Sequence, residues 1–336
     1  MTLVLAAGTT RTAAIEGLSA AGADPTVRLH TPSADAEILT HGRPAESDVI
    51  PISPTGCPTP AVVTRAVREL APFQLTVLDA GLVAPLSPDP VAVGAEPGAD
   101  IRQPLAVPDA RRIARRARDV AKSQACTDSL ALAETIPGGT TTAMGVLRAL
   151  GEPDSVSSSM ADNPLERKRN VVDRALAASE LSEGEAAGDP LQAIQAVGDP
   201  VQAVLFGYAK GALEADIDLV LAGGTQLLAV AACLRHDNVT ADLRLHTTSF
   251  LADDPTAEVD RLAGKLNVDI SVTDPGFDQL EHPAAAAYCR GEAKEGVGMG
   301  WALGHLARSR VPMDTLRRRF ISLTDTLLTA QTASSQ

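Results

Sequence analysis

Two short apolar runs of this chain end in the same way, and that ending restricts the folds open to it. Residues 128–133 lead into Glu134-Thr135-Ile136-Pro137-Gly138-Gly139-Thr140-Thr141-Thr142-Ala143, and residues 217–222 lead into Gly223-Gly224-Thr225. After the first turn Met144, Val146, Leu147 and Leu150 recur at helical spacing until Gly151 stops them, and residues 227–234 continue the second turn as helix. Further strands are predicted at residues 3–6, 75–83, 242–247 and 268–272, with helices at 61–70, 165–179, 201–213 and 256–265. Strands alternating with helices indicate parallel βαβ units. The expected fold class is α/β: a three-layer, Rossmann-like domain with a mainly parallel sheet, plus a smaller helical part contributed by the chain ends. A single domain is expected over residues 1–330, with its core at about 45–310, its terminal helical part at about 311–330, and a disordered tail at 331–336.

In open parallel sheets ligands bind outside the carboxyl ends of the strands, and both Gly-Gly-Thr turns fall on that edge. Gly138 and Gly139 let backbone N–H groups turn toward one point. The helix start adds partial positive charge, and Thr140, Thr141 and Thr142 add hydroxyls. That combination suits a phosphate or another anion, although an ordinary capped helix start reads the same way. It is not a Walker A loop, because no Lys follows the glycines. Gly223, Gly224 and Thr225 form a second cradle, and Lys210 is the candidate cation beside them. Near the C-terminus, Glu295 stands in front of the alternating glycines Gly296, Gly298 and Gly300, where the backbone must come close to something.

Composition narrows the partners. Aromatics make up 2% of the chain and the net charge is −13, with Lys only at positions 122, 168, 210, 265 and 294. An acidic, Lys-poor surface suits solubility at high salt and argues against non-specific nucleic-acid binding. Coding rich in G and C would favour Arg in the same way. Cys57, Cys126, Cys233 and Cys289 form no CxxC pair, and the six histidines are scattered, so buried thiols and no metal are expected. No run approaches the roughly 18 apolar residues of a membrane span, and the start is too short for a signal segment. A soluble, cytoplasmic protein is the expectation.

The remaining stretches read as connections and faces. Residues 12–21 suggest a small-residue helix ending at Gly22, and 27–30 and 48–52 suggest short strands. Residues 53–60 form a Pro- and Gly-rich turn, equally suited to gripping a ligand and to ordinary turn chemistry. Residues 85–108 read as an extended loop, a candidate active-site cover. Helix 110–123 carries Arg111, Arg112, Arg115, Arg116 and Arg118 on a face that is either solvated or turned to a partner. Residues 152–164, with Ser155, Ser157, Ser158 and Ser159, read as a flexible connection, and 313–328 as an amphipathic terminal helix with Arg317, Arg318 and Arg319 on its polar side.

Taken together, several of these stretches resemble the nicotinate-nucleotide:dimethylbenzimidazole phosphoribosyltransferases of cobalamin assembly, most closely a divergent archaeal branch. A family Glu-Met-Gly-Ile-Gly-Asn-Thr-Thr segment is similar to residues 134–141, a Pro-Val-Val-Ile-Asp-Gly-Phe segment to 218–225, and a Gly-Glu-Gly-Thr-Gly segment to 294–298. The Asp199-Pro200 helix start resembles the one before the family's second strand. The likeness covers residues 125–310, and Gly56-Cys57-Pro58 extends it to the archaeal branch. Gly139 stands where the family has Asn, and Gly224-Thr225 where it has Gly-Phe.

The resemblance implies transfer of a phosphoribosyl group from nicotinate mononucleotide to a benzimidazole-type base, giving α-ribazole 5′-phosphate and nicotinate. It implies Glu295 as general base and Glu134 as a second glutamate near the reaction centre. It further implies phosphate binding at the glycine cradles, no cofactor, and a homodimer. The alternatives are a nucleotide hydrolase and a non-catalytic nucleotide-phosphate-binding protein on the same fold. Asp253-Asp254-Pro255-Thr256 echoes only faintly the acidic pair of enzymes that use pyrophosphate-activated ribose.

Overall fold

The computed structural model describes residues 1–19, 25–46, 49–53, 55–124 and 127–334. Seven parallel strands form one sheet: β1 (Thr2–Ala7), β2 (Gln74–Asp79), β3 (Val91–Ala92), β4 (Ser129–Thr135), β5 (Asp218–Ala222), β6 (Leu243–Thr248) and β7 (Val268–Thr273). Their order is β3-β2-β1-β4-β5-β6-β7. The chain therefore builds outward from β1 on one side, then crosses back and builds outward from β4 on the other. The crevice between β1 and β4 is the point where the winding reverses. There Ala6 lies opposite Glu134 and Ala7 opposite Thr135.

Strands buried on both faces explain the short apolar runs. Leu3 and Leu5 of β1 face one core while Val4 and Ala6 face the other, and β4 divides Ala131 and Ala133 from Leu130 and Leu132 in the same way. The first face is covered by α1 (Pro25–His41), α2 (Ala61–Leu70), α11 (Pro283–Cys289), α12 (Met299–Arg308) and α13 (Met313–Ser334), drawn from the two chain ends. The second face is covered by α3 (Ala110–Ser123), α4 (Gly139–Leu150), α5 (Leu165–Ala178), α6 (Pro190–Val197), α7 (Pro200–Glu214), α8 (Thr225–His236) and α10 (Val259–Leu266). A single turn, α9 (Ser249–Ala252), follows β6. The three-layer α/β expectation holds.

Several local expectations do not. Residues 27–30 are not a strand but part of α1, whose Ala34, Ala36, Ile38 and Leu39 are buried, the last three in the first core; that burial outweighs the short apolar pattern. Only a 3₁₀ turn, Arg11–Ala14, forms where a helix over 12–21 was expected, and residues 20–22 lie outside the described residues. Residues 49–52 make no strand, only an isolated bridge from Ile52 to Pro58; Asp48 lies outside the described residues, as do Pro54 and Cys126. β2 stops at Asp79 because its carboxylate accepts the Gly81 and Leu82 N–H groups at 2.9 and 3.0 Å, closing a turn. Helix α6 was not anticipated. β1 is an interior strand, paired with β2 and β4, so the core begins at residue 2 rather than near 45, and α13 runs on to Ser334.

Three arginines of α3 pair within the chain, Arg111 with Asp189 at 2.5 Å, Arg112 with Asp109 at 2.6 Å and Arg118 with Glu214 at 2.7 Å, while Arg115 and Arg116 are exposed. Residues 85–108 are no active-site cover. In this segment β3 pairs with β2 at the sheet edge, Gly98 bonds to Thr9 and Arg11 beyond the end of β1, and Ala106 N–H donates to Ala196 O of α6 at 3.2 Å. None of the segment lines the cavity described below.

Candidate active site

The crevice between β1 and β4 opens into a cavity of about 150 Å³. Its floor is the end of β4 and the turn into α4. One wall comes from α1 and residues 51–60, another from residues 157–159 and the start of α8, and a third from residues 292–297.

Four carboxyl groups line it. Glu292 is held by Ser53 Oγ at 2.9 Å, by Thr55 Oγ1 and by Arg290 at 3.2 Å, and burial raises the other three. Glu134 sits one residue from the end of β4, and burial pushes its carboxyl up to about 8. The neighbouring charges of Asp199, Glu295 and Asp35 add to the rise, and the Ile136 N–H opposes it. Glu295 Oε1 accepts the Gly296 N–H at 3.0 Å and the Gly300 N–H at 3.2 Å, and Thr247 Oγ1 donates to Oε2 at 3.2 Å. Burial nevertheless raises it to about 7. Gly300 belongs to the first turn of α12, so Glu295 both meets a helix start and faces the cavity. Only glycine fits at 300, since an added Cβ would lie 2.3 Å from Thr247 Cα. The third raised carboxyl is Asp35 of α1, with Thr59 Oγ1 and Thr135 Oγ1 each donating at 2.6 Å. Burial raises it to about 7.

The opposite end is lined by hydroxyls and backbone at two helix starts. Gly138 takes φ +84 to turn the chain into α4, and an added Cβ would meet Ala13 N at 3.0 Å. Thr140, the first-turn residues of α8 and the 157–159 segment converge there. Behind them lie two buried lysines. Lys168 Nζ donates to Thr140 Oγ1 at 3.0 Å and Ser157 O at 2.5 Å, and Lys294 Nζ donates to Ser158 O and Met160 O at 3.2 Å each. Residues 152–164 are thus not a free connection: Val156, Ser157 and Ser158 are buried, and residues 157–159 wall the site.

Of the residues singled out from sequence, Glu134, Gly138, Gly139, Thr140, Gly224, Thr225, Glu295 and Gly296 line the cavity. Thr141, Thr142, Gly223, Gly298 and Lys210 do not. Thr142 Oγ1 braces Gly139 O at 2.8 Å and Asp199, and Thr141 is buried off the cavity. The Gly223 N–H is taken by His246 O at 3.1 Å, and Gly298 packs against Ala133 and Leu3. Lys210 is corrected most plainly. It lies toward the C-terminal end of α7, pairs with Asp237 at the C-terminal end of α8, and lies 5.5 Å from the Phe206 ring centroid. The cations at the site are Lys168 and Lys294 instead. Their signal was present in the sequence, as two of only five lysines in an Arg-rich chain. Asp35 carried none, because its helix was not recognised.

Among the described residues no three His, Cys, Asp or Glu side chains converge to hold a metal ion, and no helix is long and apolar enough to cross a membrane. Cys57 lines the cavity, but burial and the Glu292 charge push its thiol up, which keeps it protonated.

No family model matches the chain. It is 56% identical over 322 residues to the UPF0284 protein VNG_1572C of Halobacterium salinarum, covering 96% of each chain. It is 37% identical over 337 residues to a UPF0284 protein of Methanothermobacter thermautotrophicus, covering 97% of this chain and 92% of that one. Among solved structures, CobT from Thermus thermophilus superposes with a TM-score of 0.63 at 22% identity, over 96% of this chain and 83% of that one. A nicotinate-nucleotide-dimethylbenzimidazole phosphoribosyltransferase from the same organism gives 0.61 at 21%, over 96% and 82%. At that identity the likeness is one of fold.

Proposed function

The chain belongs to the UPF0284 family of archaeal proteins, and from that premise we propose that it transfers the phosphoribosyl group of nicotinate mononucleotide to a benzimidazole-type base, releasing nicotinate and forming α-ribazole 5′-phosphate. The observation that carries the reading is the pairing, in one crevice, of Glu134 and Glu295 with a cationic, hydroxyl-lined end. The fold shared with a phosphoribosyltransferase of that substrate class supports it.

In the proposed reaction the phosphate lies against Gly138, Thr140, Thr225 and the 157–159 segment, and C1′ of the ribose lies near the two glutamates. One ring nitrogen of the base attacks C1′. The C1′–N bond to the pyridinium breaks, its electron pair neutralises the ring nitrogen, and nicotinate leaves without an acid. Glu295 takes the N–H proton from the other ring nitrogen of the base. Its carboxyl, raised to about 7, is ionised over a useful part of the neutral range, and a general base performs best when its pKa is near the working pH. Glu134, raised further to about 8, stays protonated longer and donates a hydrogen bond. The two glutamates titrate as a coupled pair.

The test is incubation with nicotinate mononucleotide and a panel of bases (dimethylbenzimidazole, hydroxybenzimidazole, adenine), at low and high salt, beside Glu295→Gln. Base-dependent nicotinate release that disappears in the variant supports the transferase. Release without added base points to a hydrolase. Nucleotide binding without any release, in both proteins, leaves a sensor and overturns the enzyme.

A further inference from the structure

Lys168 and Lys294 are the only lysines buried among the described residues, with relative exposures of 0% and 6%, in a chain that otherwise keeps its cations at the surface. They reach the same short segment from two different parts of the chain. Lys168, from α5, spends its three N–H donors on Thr140 Oγ1, Ser157 O and Asn163 Oδ1 at 3.0, 2.5 and 3.3 Å. Lys294 holds Ser158 O and Met160 O, and pairs with Asp254 at 3.2 Å. With the carbonyls of residues 157, 158 and 160 drawn back onto the ammonium groups, the segment presents its other side, with the Ser158 and Ser159 residues, to the cavity.

The charges do not balance. Lys168 is faced by Thr140 of α4, by Ser157 and Asn163 of the connecting segment, by Lys294, and by Asp254 beyond α9; Asp254 is the one carboxylate acting on it. Two ammonium groups share that carboxylate. Burying an unmatched charge is unfavourable, and a protein relieves it by shedding the proton or by binding a counter-ion. Burial, with the charge of Lys294 added, lowers Lys168 to about 7, so above that pH the unliganded protein takes the first route.

We infer that Lys168 and Lys294 form a two-ammonium clamp behind the 157–160 edge, that this edge receives the ligand's phosphate, and that Lys168 takes up a proton when the dianion binds. The inference deepens the proposed function and rests on it for the identity of the ligand. Its test reads anion binding alone, so the two can fail separately. Lys168 does not line the cavity and is a positioning residue; Lys294 does line it.

Titration calorimetry with sulfate, a dianion that does not itself titrate near neutrality, in Tris and HEPES at one fixed KCl concentration counts the protons exchanged. About one proton is taken up per sulfate at pH 8.5, and close to none at pH 6, where Lys168 is already charged. Lys168→Met abolishes the uptake and weakens sulfate on the order of 30-fold, as removing one partner of a buried charge pair does. Glu134→Gln keeps the uptake, and Lys122→Met, at an exposed pair with Glu214, changes nothing. Absence of uptake in the wild type at pH 8.5, or uptake that persists in Lys168→Met, overturns the inference. If Lys168→Met fails to fold, the carboxyl variants decide: uptake lost in Glu134→Gln or Glu295→Gln assigns the proton to a carboxylate and overturns it equally.

Discussion

Thr135 Oγ1 donates a hydrogen bond of 2.6 Å to Asp35, across 100 positions of the chain, and so fixes α1 against the end of β4 beside Glu134. A third raised carboxyl is thereby held in the wall of a cavity that already contains two. Because all three are raised above their ordinary values, to about 7 for Asp35 and Glu295 and about 8 for Glu134, the folded state binds protons that the unfolded state has released. Each group contributes stability that is full below its unfolded pKa and is lost as pH rises through its folded value.

The melting temperature of the unliganded protein should therefore fall between about pH 5 and pH 8. Asp35→Asn, which cannot titrate, should flatten that slope. Thermal unfolding followed by circular dichroism across the range checks this. A wild-type melting temperature that climbs over the same interval, or an unchanged slope in the variant, contradicts it.

For turnover, Glu295→Gln should lower kcat by about 10²–10⁴-fold while nucleotide affinity changes little, since the lost group acts on the transferring proton. In the wild type the acid limb of kcat/KM should rise as Glu295 ionises, around pH 7. Steady-state rates against pH, with nucleotide binding measured separately, read both. A limb near pH 4 would mean that the working base is an ordinary exposed carboxylate.

Two glycine substitutions should move stability in opposite directions. At Gly300 a Cβ would stand 2.3 Å from Thr247 Cα and 2.7 Å from Glu295 Oε2, so Gly300→Ala must shift β6 or α12. A loss of about 1–3 kcal/mol is expected from such overpacking. Gly264, in α10, has nothing within 4 Å of the same added atom. There Gly264→Ala should gain about 0.4–1 kcal/mol by restricting the unfolded chain. Urea unfolding of the pair is sufficient, and equal effects would refute the packing argument.

Asp199 and Lys210 lie on the same helical stretch, yet their replacements should behave differently. Asp199 is fully buried, caps α7 by accepting the Gln202 N–H at 2.9 Å, and accepts from Thr142 Oγ1 and from Gln226 Nε2 at 2.8 Å. Asp199→Ala leaves those donors unmatched, at about 1–3 kcal/mol each. Lys210→Met removes only a partly exposed ion pair, worth about 1 kcal/mol at most. Urea unfolding of the two variants measures the difference. Lys210→Met should also leave nucleotide affinity unaltered; a large affinity loss would return Lys210 to the site.

The elements that were legible in the sequence are those whose pattern is local. β4 with α4, and β5 with α8, announce themselves by an apolar run, a glycine turn and a helical repeat, all within about 20 residues. Glu134 and Glu295 could be singled out because each stands beside such a turn. α1 was misread because it carries Pro32 in its interior and little apolar periodicity; its place comes from Ile38 and Leu39 packing in the first core. Lys210 lies off the site because α7 begins beside the cavity and carries Lys210 toward its other end, where Asp237 closes α8.

By itself the sequence determined the layered α/β class, the parallel strands and the glycine turns at their carboxyl ends, since each depends on spacings along one segment. Only the tertiary structure decided which charged groups share the crevice. Asp35 reaches β4 from α1, and Lys168 and Lys294 reach one segment from two different parts of the chain, because the strand order brings β1 against β4 and the helices pack over that seam. Those meetings, and the raised carboxyls and lowered ammonium that follow from burying them together, are properties of the packing, and no local spacing encodes them.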